Sequence, residues 1–354
     1  MAKIKAFLKS LWSGMTKLCK QFYQALVKKP GARKWLLGVL VVLLLVTFGF
    51  MWYWSREPGV FDVQAEAHRR SGEQKLVTGS VTTAALMNVA ETLLDKPGGY
   101  LSNDIMPPWV FLDNIPSWEF GALVQIRDLA RTMRNDFARS RSQSVENVDL
   151  AKAEPLFNFD HKSWIFPASE DEYRKAIKAL GNYRASLAAQ NDPNTQFYAR
   201  ADNLREWLGL VEKRLGSLSQ RLSASTGQVR VNTDLAGERS AQQATSAPDH
   251  VRTKTPWLQL DNVFFEARGA TWALIHFLRA VQIDFEDVLK NKNAEALVAQ
   301  IIRELEGTQR PVRSPMILNG KGFGLFANHS LVMAAYISRA NAAIIELRDM
   351  LSQG

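Results

Sequence analysis

The sequence predicts an all-α protein, in which an N-terminal amphipathic helix and a single transmembrane helix precede a helical bundle with long antiparallel helices. The first observation behind this prediction is an uncharged apolar run of twenty residues near the N-terminus. The second is that apolar side chains recur at steps of three and four residues over most of the remaining chain, which is the period of one helix face. The third is that no segment alternates convincingly between polar and apolar residues, as a half-buried strand would.

Residues 1–34 form a strongly basic head. They contain nine Lys or Arg residues and no Asp or Glu, so the head accounts for the net charge of +9. Apolar residues at helical spacing form one face opposite the lysines, and we expect this helix to lie in the membrane interface with its lysines on anionic lipid headgroups. The expected interface residues are Lys3, Phe7, Trp12 and Phe22. A partner helix in the membrane plane is the alternative, whereas nucleic-acid binding fits poorly because the helix is so apolar.

Residues 35–54 are predicted to cross a membrane once. Thr47 is the only polar side chain in this run, and a helix of this length spans about 30 Å, the thickness of the hydrocarbon core of a bilayer. Trp35 at one end and Trp52 and Trp54 at the other match the aromatic belts of the two interfaces. A cleaved signal peptide is the alternative, but the run exceeds the usual length of roughly 7–15 residues and no small-residue cleavage site follows it. A buried core helix would not explain the charge asymmetry of its flanks.

The charge distribution predicts the orientation. Short segments rich in Lys and Arg stay in the cytoplasm, which places the N-terminus inside and the C-terminal domain on the other side of the membrane. The only cysteine, Cys19, lies in the head, so we expect the outer domain to contain no disulfide and no thiol ligand.

The outer part begins with a connector at residues 55–77 and continues as a helical domain at residues 78–354. Apolar spacing and capping signals predict helices at residues 82–94, 117–141, 169–189, 193–223, 256–289, 294–305 and 327–351. Residues 224–255 are rich in Ser, Thr, Gln, Gly and Ala and poor in large apolar side chains, which predicts a flexible loop within the domain.

Two of these helices carry long apolar seams. The first seam consists of Leu204, Leu208, Val211, Leu215, Leu218 and Leu222, and the second runs from Leu260 to Val288 with similar spacing. We expect the two seams to pack on each other, and an intermolecular coiled coil is the alternative. A weak internal sequence similarity also occurs. The tripeptide Leu-Asp-Asn at residues 112–114 recurs at 260–262, and a helix–loop–helix pattern recurs at 82–141 and 294–351, but the identities are too sparse to establish a duplication.

Two loops, at residues 97–119 and 309–329, are unusually rich in aromatic residues, Pro and Gly. One interpretation is that they are lids that cover the helix core. The other is a groove with aromatic walls and a few polar groups, which suits a sugar or peptide ligand. The candidate ligand or partner contacts are Tyr100, Asp104, Trp109, Asp113, Asn114, Trp118, Glu119, Lys321, Phe323 and His329.

The sequence assigns no catalytic residue, no metal ligand and no cofactor. Asp113 and Glu119 would suit glycosidase-type hydrolysis only at a defined carboxylate separation, and a Glu at a helix start is more often a capping partner. The five histidines show no spacing typical of zinc ligands, and the apolar neighbours of His276 are typical of a core histidine. The glycines of residues 320–324 lack the preceding strand and the spacing of a phosphate-binding loop.

Several longer strings are similar to a known family. Residues 91–104 (ETLLDKPGGYLSND), 112–120 (LDNIPSWEF), 196–204 (QFYARADNL) and 214–222 (RLGSLSQRL) resemble the gammaproteobacterial domain-of-unknown-function family 2333. The resemblance covers nearly all of the chain beyond the connector, and the basic head has no counterpart in it. It implies a bacterial inner-membrane protein, so that the outer domain would be periplasmic, and it supplies no activity.

From these observations we expect a membrane-anchored periplasmic scaffold or accessory subunit that docks envelope protein partners, rather than an enzyme. The alternative is an envelope hydrolase that acts on glycan or lipid through the two aromatic loops. A transmembrane receptor is disfavoured because a head of 34 residues leaves no room for an output domain.

Overall fold

The computed structural model describes residues 17, 30–72, 76–140, 145–190, 192, 195–231, 250–314, 316–320 and 325–353. The chain forms two compact units, Met1–Trp54 and Ser55–Gly354. The described residues include eleven α-helices and one two-stranded sheet, so the predicted all-α class is confirmed.

The first unit contains helix α1, Pro30–Trp54. Its segment Lys34–Trp54 has a mean hydropathy of 2.4 and is not buried inside the structure, so it is long and apolar enough to cross a membrane. Trp35 and Trp52 are exposed, and the Trp54 ring stacks on Phe50 with centroids 5.0 Å apart. The predicted interface residues of the head, Lys3, Phe7, Trp12 and Phe22, lie outside the described residues, as does most of the predicted amphipathic helix.

The described part of the second unit is built from ten helices. In chain order they are α2 (Val63–Ser71), α3 (Ser80–Asp95), α4 (Asn114–Thr132), α5 (Val148–Phe157), α6 (Ser169–Ala189), α7 (Ala201–Ser223), α8 (Leu260–Asp284), α9 (Glu286–Asn291), α10 (Glu295–Thr308) and α11 (His329–Ser352). Two short antiparallel strands, β1 (Gln228–Val231) and β2 (His250–Thr253), lie between α7 and α8. Single 3-10 turns at Trp109–Phe111 and Trp257–Gln259 stand just before α4 and α8.

Several boundaries differ from the sequence prediction. The predicted connector contains α2, which Asp62 caps by accepting from two backbone N–H groups. Helix α5, which carries Pro155, gives no clear signal in the sequence. Helix α7 begins at Ala201 because the preceding segment is extended, with Tyr198 N donating to Phe137 O at 2.6 Å. The hairpin of β1 and β2 replaces both ends of the predicted loop, since strands of four residues are too short to show an alternating pattern.

Both predicted apolar seams are buried, but they pack against different partners. Helix α7 packs mainly on α11 in an antiparallel arrangement, in which Glu212 meets Arg348 and Ser219 meets Ser338. Helix α8 packs mainly on α4. Helices α7 and α8 also contact each other, but neither is the main partner of the other, so the expectation that the two seams pack on each other is wrong. Helix α11 also has the length and apolarity of a membrane span, but its buried side packs on α7 and α10 within the bundle.

The second unit contains an internal repeat of four helices, α3–α4–α5–α6 and α7–α8–α10–α11. In both halves the first and third helices pack on the fourth, and the second helix contacts the first and third. Residues 108–137 correspond to residues 256–285 at a constant offset of 148 positions, with ten identities that include Pro-Trp, Leu-Asp-Asn, Gly-Ala and Asp-Phe. The recurrence of Leu-Asp-Asn therefore marks a structural repeat, whereas the pattern at 82–141 corresponds to α7 and α8 and not to 294–351.

The second helices of the two halves, α4 and α8, lie parallel at the centre of the unit. Near their beginnings, burial and then the charge of Asp113 raise the pKa of Asp261. Near their ends, the rings of Phe137 and Phe285 are in contact with centroids 5.2 Å apart. Both pairs join equivalent positions, so a pseudo-two-fold axis runs along the helix pair. Each central helix also contacts the first helix of the other half, α8 on α3 and α4 on α7.

Candidate functional site

The first aromatic loop is anchored by a buried ion pair. Glu119, in the second turn of α4, pairs with Lys96, which follows α3, and both side chains are almost wholly buried. The Glu119 carboxylate also accepts from Leu101 N at 2.9 Å and from Ser102 N at 2.8 Å, and Ser102 Oγ donates to it as well. Glu119 therefore closes the loop onto the bundle, and its oxygens are engaged by four donors.

A second set of contacts joins this loop to the segment between α5 and α6. Tyr100 Oη donates to His161 O at 3.1 Å, and its ring stands edge-on to Tyr173 with centroids 5.7 Å apart. Asn103 Nδ2 donates to Ser163 O at 2.8 Å. Burial raises the pKa of the Tyr100 hydroxyl. These contacts fix the loop at residues that lie far away in the sequence.

The predicted contact residues divide into interior and accessible ones. Tyr100, Trp118 and Glu119 are buried, so a partner does not reach them in this arrangement. Asp113 is exposed at the start of α4, so it does not share a solvent-accessible cleft with the enclosed Glu119. Trp109 is half-buried in the turn before α4.

The remaining polar candidates of this loop are half-buried. Asn114 Oδ1 has no hydrogen-bond partner among the described residues, and the same is true of Asn262 Oδ1 at the equivalent position of the repeat. Burial, followed by the charges of Glu170 and Glu119, raises the pKa of Asp104. Asp104 is thus a carboxyl group in an acidic surrounding, which the nearby Lys96 offsets in part.

The outer part of the loop presents apolar side chains to solvent. Phe111 is 66% exposed in the turn before α4, and the equivalent turn before α8 exposes Trp257 at 77% and Leu258 at 75%. Since α4 and α8 are parallel neighbours, both turns lie at the same end of the unit. We call this surface the apolar end, and it consists of Ile105, Met106, Val110, Phe111, Trp257 and Leu258.

Two further loops expose apolar side chains. The segment between α5 and α6, which contacts the first aromatic loop, exposes Trp164, Ile165 and Phe166, and the segment before α11 exposes Met316, Leu325 and Phe326. His329, the first residue of α11, fixes the second of these segments, because its Nδ1 accepts from Leu318 N at 2.9 Å. The His329 ring lies 6.4 Å from Phe264, near the start of α8. The candidates Lys321 and Phe323 lie outside the described residues.

The connector is bound along α8, and no local pattern in the sequence predicts this contact. Three contacts hold it: Arg268 forms a bidentate ion pair with Glu57, Trp272 Nε1 donates to Gly59 O at 3.1 Å, and Phe61 N donates to His276 Nε2 at 3.1 Å. The Phe61 ring also stacks on His276 with centroids 3.9 Å apart. The connector therefore runs in the same direction as α8, and its first residues lie nearest the apolar end.

His276 is a neutral core residue, as its apolar neighbours in the sequence indicate. Its Nε2 accepts from Phe61 N, and its Nδ1 lies 2.8 Å from Trp272 O, so the proton must be on Nδ1. Burial lowers the pKa of His276 to about 3. Among the residues that the structure describes, no group of three or more His, Cys, Asp or Glu is placed to hold a metal ion.

Comparisons with known proteins bear on the family alone. No curated protein and no solved structure matches the chain. The family of uncharacterised proteins conserved in bacteria, DUF2333, matches residues 28–354. The match covers α1 and the second unit and leaves out most of the basic head, as the similar strings indicate. The chain therefore belongs to the DUF2333 family.

Proposed function

We propose that the protein is a membrane-anchored scaffold or accessory subunit that docks envelope protein partners. The observation that supports this proposal best is the apolar end, where two equivalent Pro-Trp turns expose large apolar side chains. Large apolar side chains gathered at one exposed end of a domain are typical of contact sites. Each turn leads directly into a central helix of the bundle, so the surface is held in place before a partner binds, which reduces the entropy lost on binding.

The path of the connector adds to this proposal. Glu57 is bound to Arg268 in the first half of α8, and the chain then continues towards the C-terminal half of that helix. The chain therefore arrives at the side of the unit where the apolar end lies. A partner bound to the apolar end would therefore contact the second unit near the first residues of the connector.

The proposed location is the bacterial inner membrane, with the N-terminus in the cytoplasm and the second unit in the periplasm. The nine-to-zero excess of basic over acidic residues in the head supports this orientation, and the head would rest on anionic lipid headgroups. A reporter that is active only in the periplasm should be active when fused after residue 354 and silent when fused within the first 30 residues. The opposite pattern would contradict the orientation.

The docking function is tested by photo-crosslinking in native membranes. A photoreactive amino acid replaces Phe111 or Trp257 in the full-length chain, and Val148, an exposed residue at the start of α5, serves as the matched control. We expect discrete protein adducts from positions 111 and 257 and none from position 148. Adducts with lipid alone, or the same adducts from all three positions, would overturn the proposal.

Energetics supply a second readout of the same surface. Aromatic anchors at protein interfaces commonly contribute about 2 kcal/mol or more when they are truncated. Trp257→Ser should therefore lower partner recovery markedly, while the thermal unfolding of the variant stays close to that of the wild type because this side chain is exposed. Recovery equal to that of the wild type would count against the apolar end as the contact site.

The alternative proposal, an envelope hydrolase, requires two accessible carboxylates at a defined separation. Glu119 is enclosed and accepts from four donors, and Asp113 is exposed near Asp261. This arrangement favours docking over hydrolysis. Complementation of a deletion strain by Asp113→Asn is the direct test, since an amide cannot transfer the catalytic proton.

A further inference from the structure

A groove of about 360 Å³ lies between α4 and α7 in the second unit. Apolar side chains, among them Phe120 and Val124 of α4, form its floor. One wall carries the basic side chains of Lys213, Arg214 and Arg221 on α7. An apolar floor beside a basic wall suits a ligand that combines apolar and acidic groups. The groove is distinct from the apolar end.

The internal repeat relates this groove to a surface that the chain itself covers. At the offset of 148 positions, Phe120 and Val124 correspond to Arg268 and Trp272 of α8, which bind Glu57 and the Gly59 carbonyl of the connector. The surface between α8 and α3 is thus occupied by the connector and α2. The equivalent surface between α4 and α7 is the open groove. The protein therefore shows, on one side of its pseudo-two-fold axis, how an extended segment lies on this type of surface.

Gln125 supplies the groove with a polar side chain. This side chain is only 2% exposed and lines the groove. An amide offers one acceptor oxygen and two donor hydrogens, which match the N–H and C=O groups of an extended main chain. The equivalent position on the covered side is Ala273, where Trp272 and His276 bind the connector instead.

The charge of the wall indicates the sign of the ligand. Arg214 pairs with Asp128, and Arg221 pairs with Glu266. Lys213 is exposed and forms no ion pair within the described part of the chain. One cation of the wall is therefore left for a carboxylate, as Arg268 on the covered side is engaged by Glu57.

We propose that the groove between α4 and α7 binds an extended acidic peptide segment of a partner protein. The segment places its main chain on the Gln125 amide and a carboxylate on Lys213, with an apolar side chain over Phe120 and Val124. This second contact goes beyond the docking at the apolar end and uses different residues. A negative result at the groove therefore does not test docking at the apolar end, and the reverse also holds.

The test uses a defined probe, because the partner segment is not identified. The probe is a capped, fluorescently labelled peptide with the sequence of residues 57–62, Glu-Pro-Gly-Val-Phe-Asp, which joins acidic and aromatic groups in an extended segment. Its binding to the full-length chain in lipid nanodiscs is measured by fluorescence anisotropy. The variants are Lys213→Glu and Gln125→Leu. The matched control is Lys178→Glu on α6, another exposed lysine that lacks an ion pair among the described residues.

We expect the wild type and the Lys178→Glu control to bind the probe with the same affinity. Lys213→Glu should weaken binding by about tenfold or more, since an attraction becomes a repulsion at a partly desolvated site. Gln125→Leu should weaken binding without changing its dependence on salt. No binding to the wild type, or equal affinities for Lys213→Glu and Lys178→Glu, would overturn the proposal. Equal affinity would mean that the probe binds elsewhere, for example by displacing the connector.

Discussion

Gly121 of α4 and Gly269 of α8 are equivalent residues of the internal repeat, and each lies against the backbone of the other's helix. A Cβ atom on Gly121 would collide with the carbonyl oxygen of Glu266, and one on Gly269 would collide with the carbonyl oxygen of Trp118. Glu266 and Trp118 are themselves equivalent positions. The two central helices therefore approach so closely only because neither glycine has a side chain. The internal repeat places this close approach at two equivalent positions.

The glycine pair leads to the first prediction. Gly121→Ala and Gly269→Ala should each lower the free energy of unfolding by about 3 kcal/mol or more, because backbone atoms of a packed helix cannot move aside cheaply. Gly216→Ala on α7 is the control, since its Cβ would meet only Asn341 Nδ2 at 3.8 Å. That change should be neutral or stabilising by about 0.5–1 kcal/mol through helix propensity. Denaturant unfolding measures all three, and similar values for the three variants would refute the close-approach argument.

The second prediction concerns the buried pair of Lys96 and Glu119. Glu119→Gln should destabilise the second unit by about 3–5 kcal/mol, because it leaves a buried ammonium group without its counter-charge. Asp113→Asn on the same helix should stay within about 0.5 kcal/mol of the wild type, since this side chain is exposed. Thermal or denaturant unfolding compares the two. A loss for Glu119→Gln as small as that for Asp113→Asn would show that the pair does not hold the loop.

The third prediction is an acid sensitivity that comes from His276. The pKa of this group is about 3 in the folded protein and about 6.5 in an unfolded chain, so below pH 6.5 the unfolded chain binds more protons. The stabilising contribution is therefore complete above the unfolded value and is lost as the pH falls, by about 3 kcal/mol at pH 4. His276→Gln does not titrate, so its unfolding free energy should fall less between pH 7 and pH 4. Parallel pH profiles for the two proteins would contradict this.

The fourth prediction has the opposite sign and concerns Asp284. Burial raises the pKa of Asp284 to about 6, although the carboxylate accepts from Thr82 N at 2.6 Å. The folded protein thus binds this proton more tightly than the unfolded chain does, and the group lowers stability as the pH rises from about 4 to about 6. Asp284→Asn should remove this part of the pH dependence. Chemical unfolding at pH 4 and pH 7 tests it, and an unchanged difference between the two pH values would disprove the assignment.

Helix-capping signals and apolar spacing in the sequence predicted individual helices well. The bounds of α6 agree with the prediction, because its first turn carries Glu170, Asp171 and Glu172 beside the helix N-terminus. The leucine seam of α7 is buried along its length. An apolar seam does not indicate which helix packs against it, however. The helix that packs on the seam of α7 is α11, although the apolar pattern of α11 is weaker than that of α8. The contact between the two central helices depends on Gly121 and Gly269. Glycine has a low helix propensity, so a local analysis of the sequence treats both residues as unfavourable for the helix.

The candidate site was harder to predict, because its contacts join residues far apart in the chain. The partners of Glu119 are Lys96 and two backbone N–H groups, and nothing in the spacing indicates that the loop folds back onto this carboxylate. Trp257 was missed, although its signal was present as a second Pro-Trp-x-x-Leu-Asp-Asn string 148 positions after the first. Gln125 has no local signal at all, since its importance comes only from the groove that α7 builds around it.

The attachment of the connector to α8 has a mechanical consequence. The connector runs parallel to the helix, and its contacts with Arg268, Trp272 and His276 follow one another along the helix axis. Tension applied at Ser55 along the axis of α8 would load these three contacts together in shear, instead of breaking them one at a time. A force in that direction on the chain before Ser55 would thus be transmitted to a central helix of the bundle.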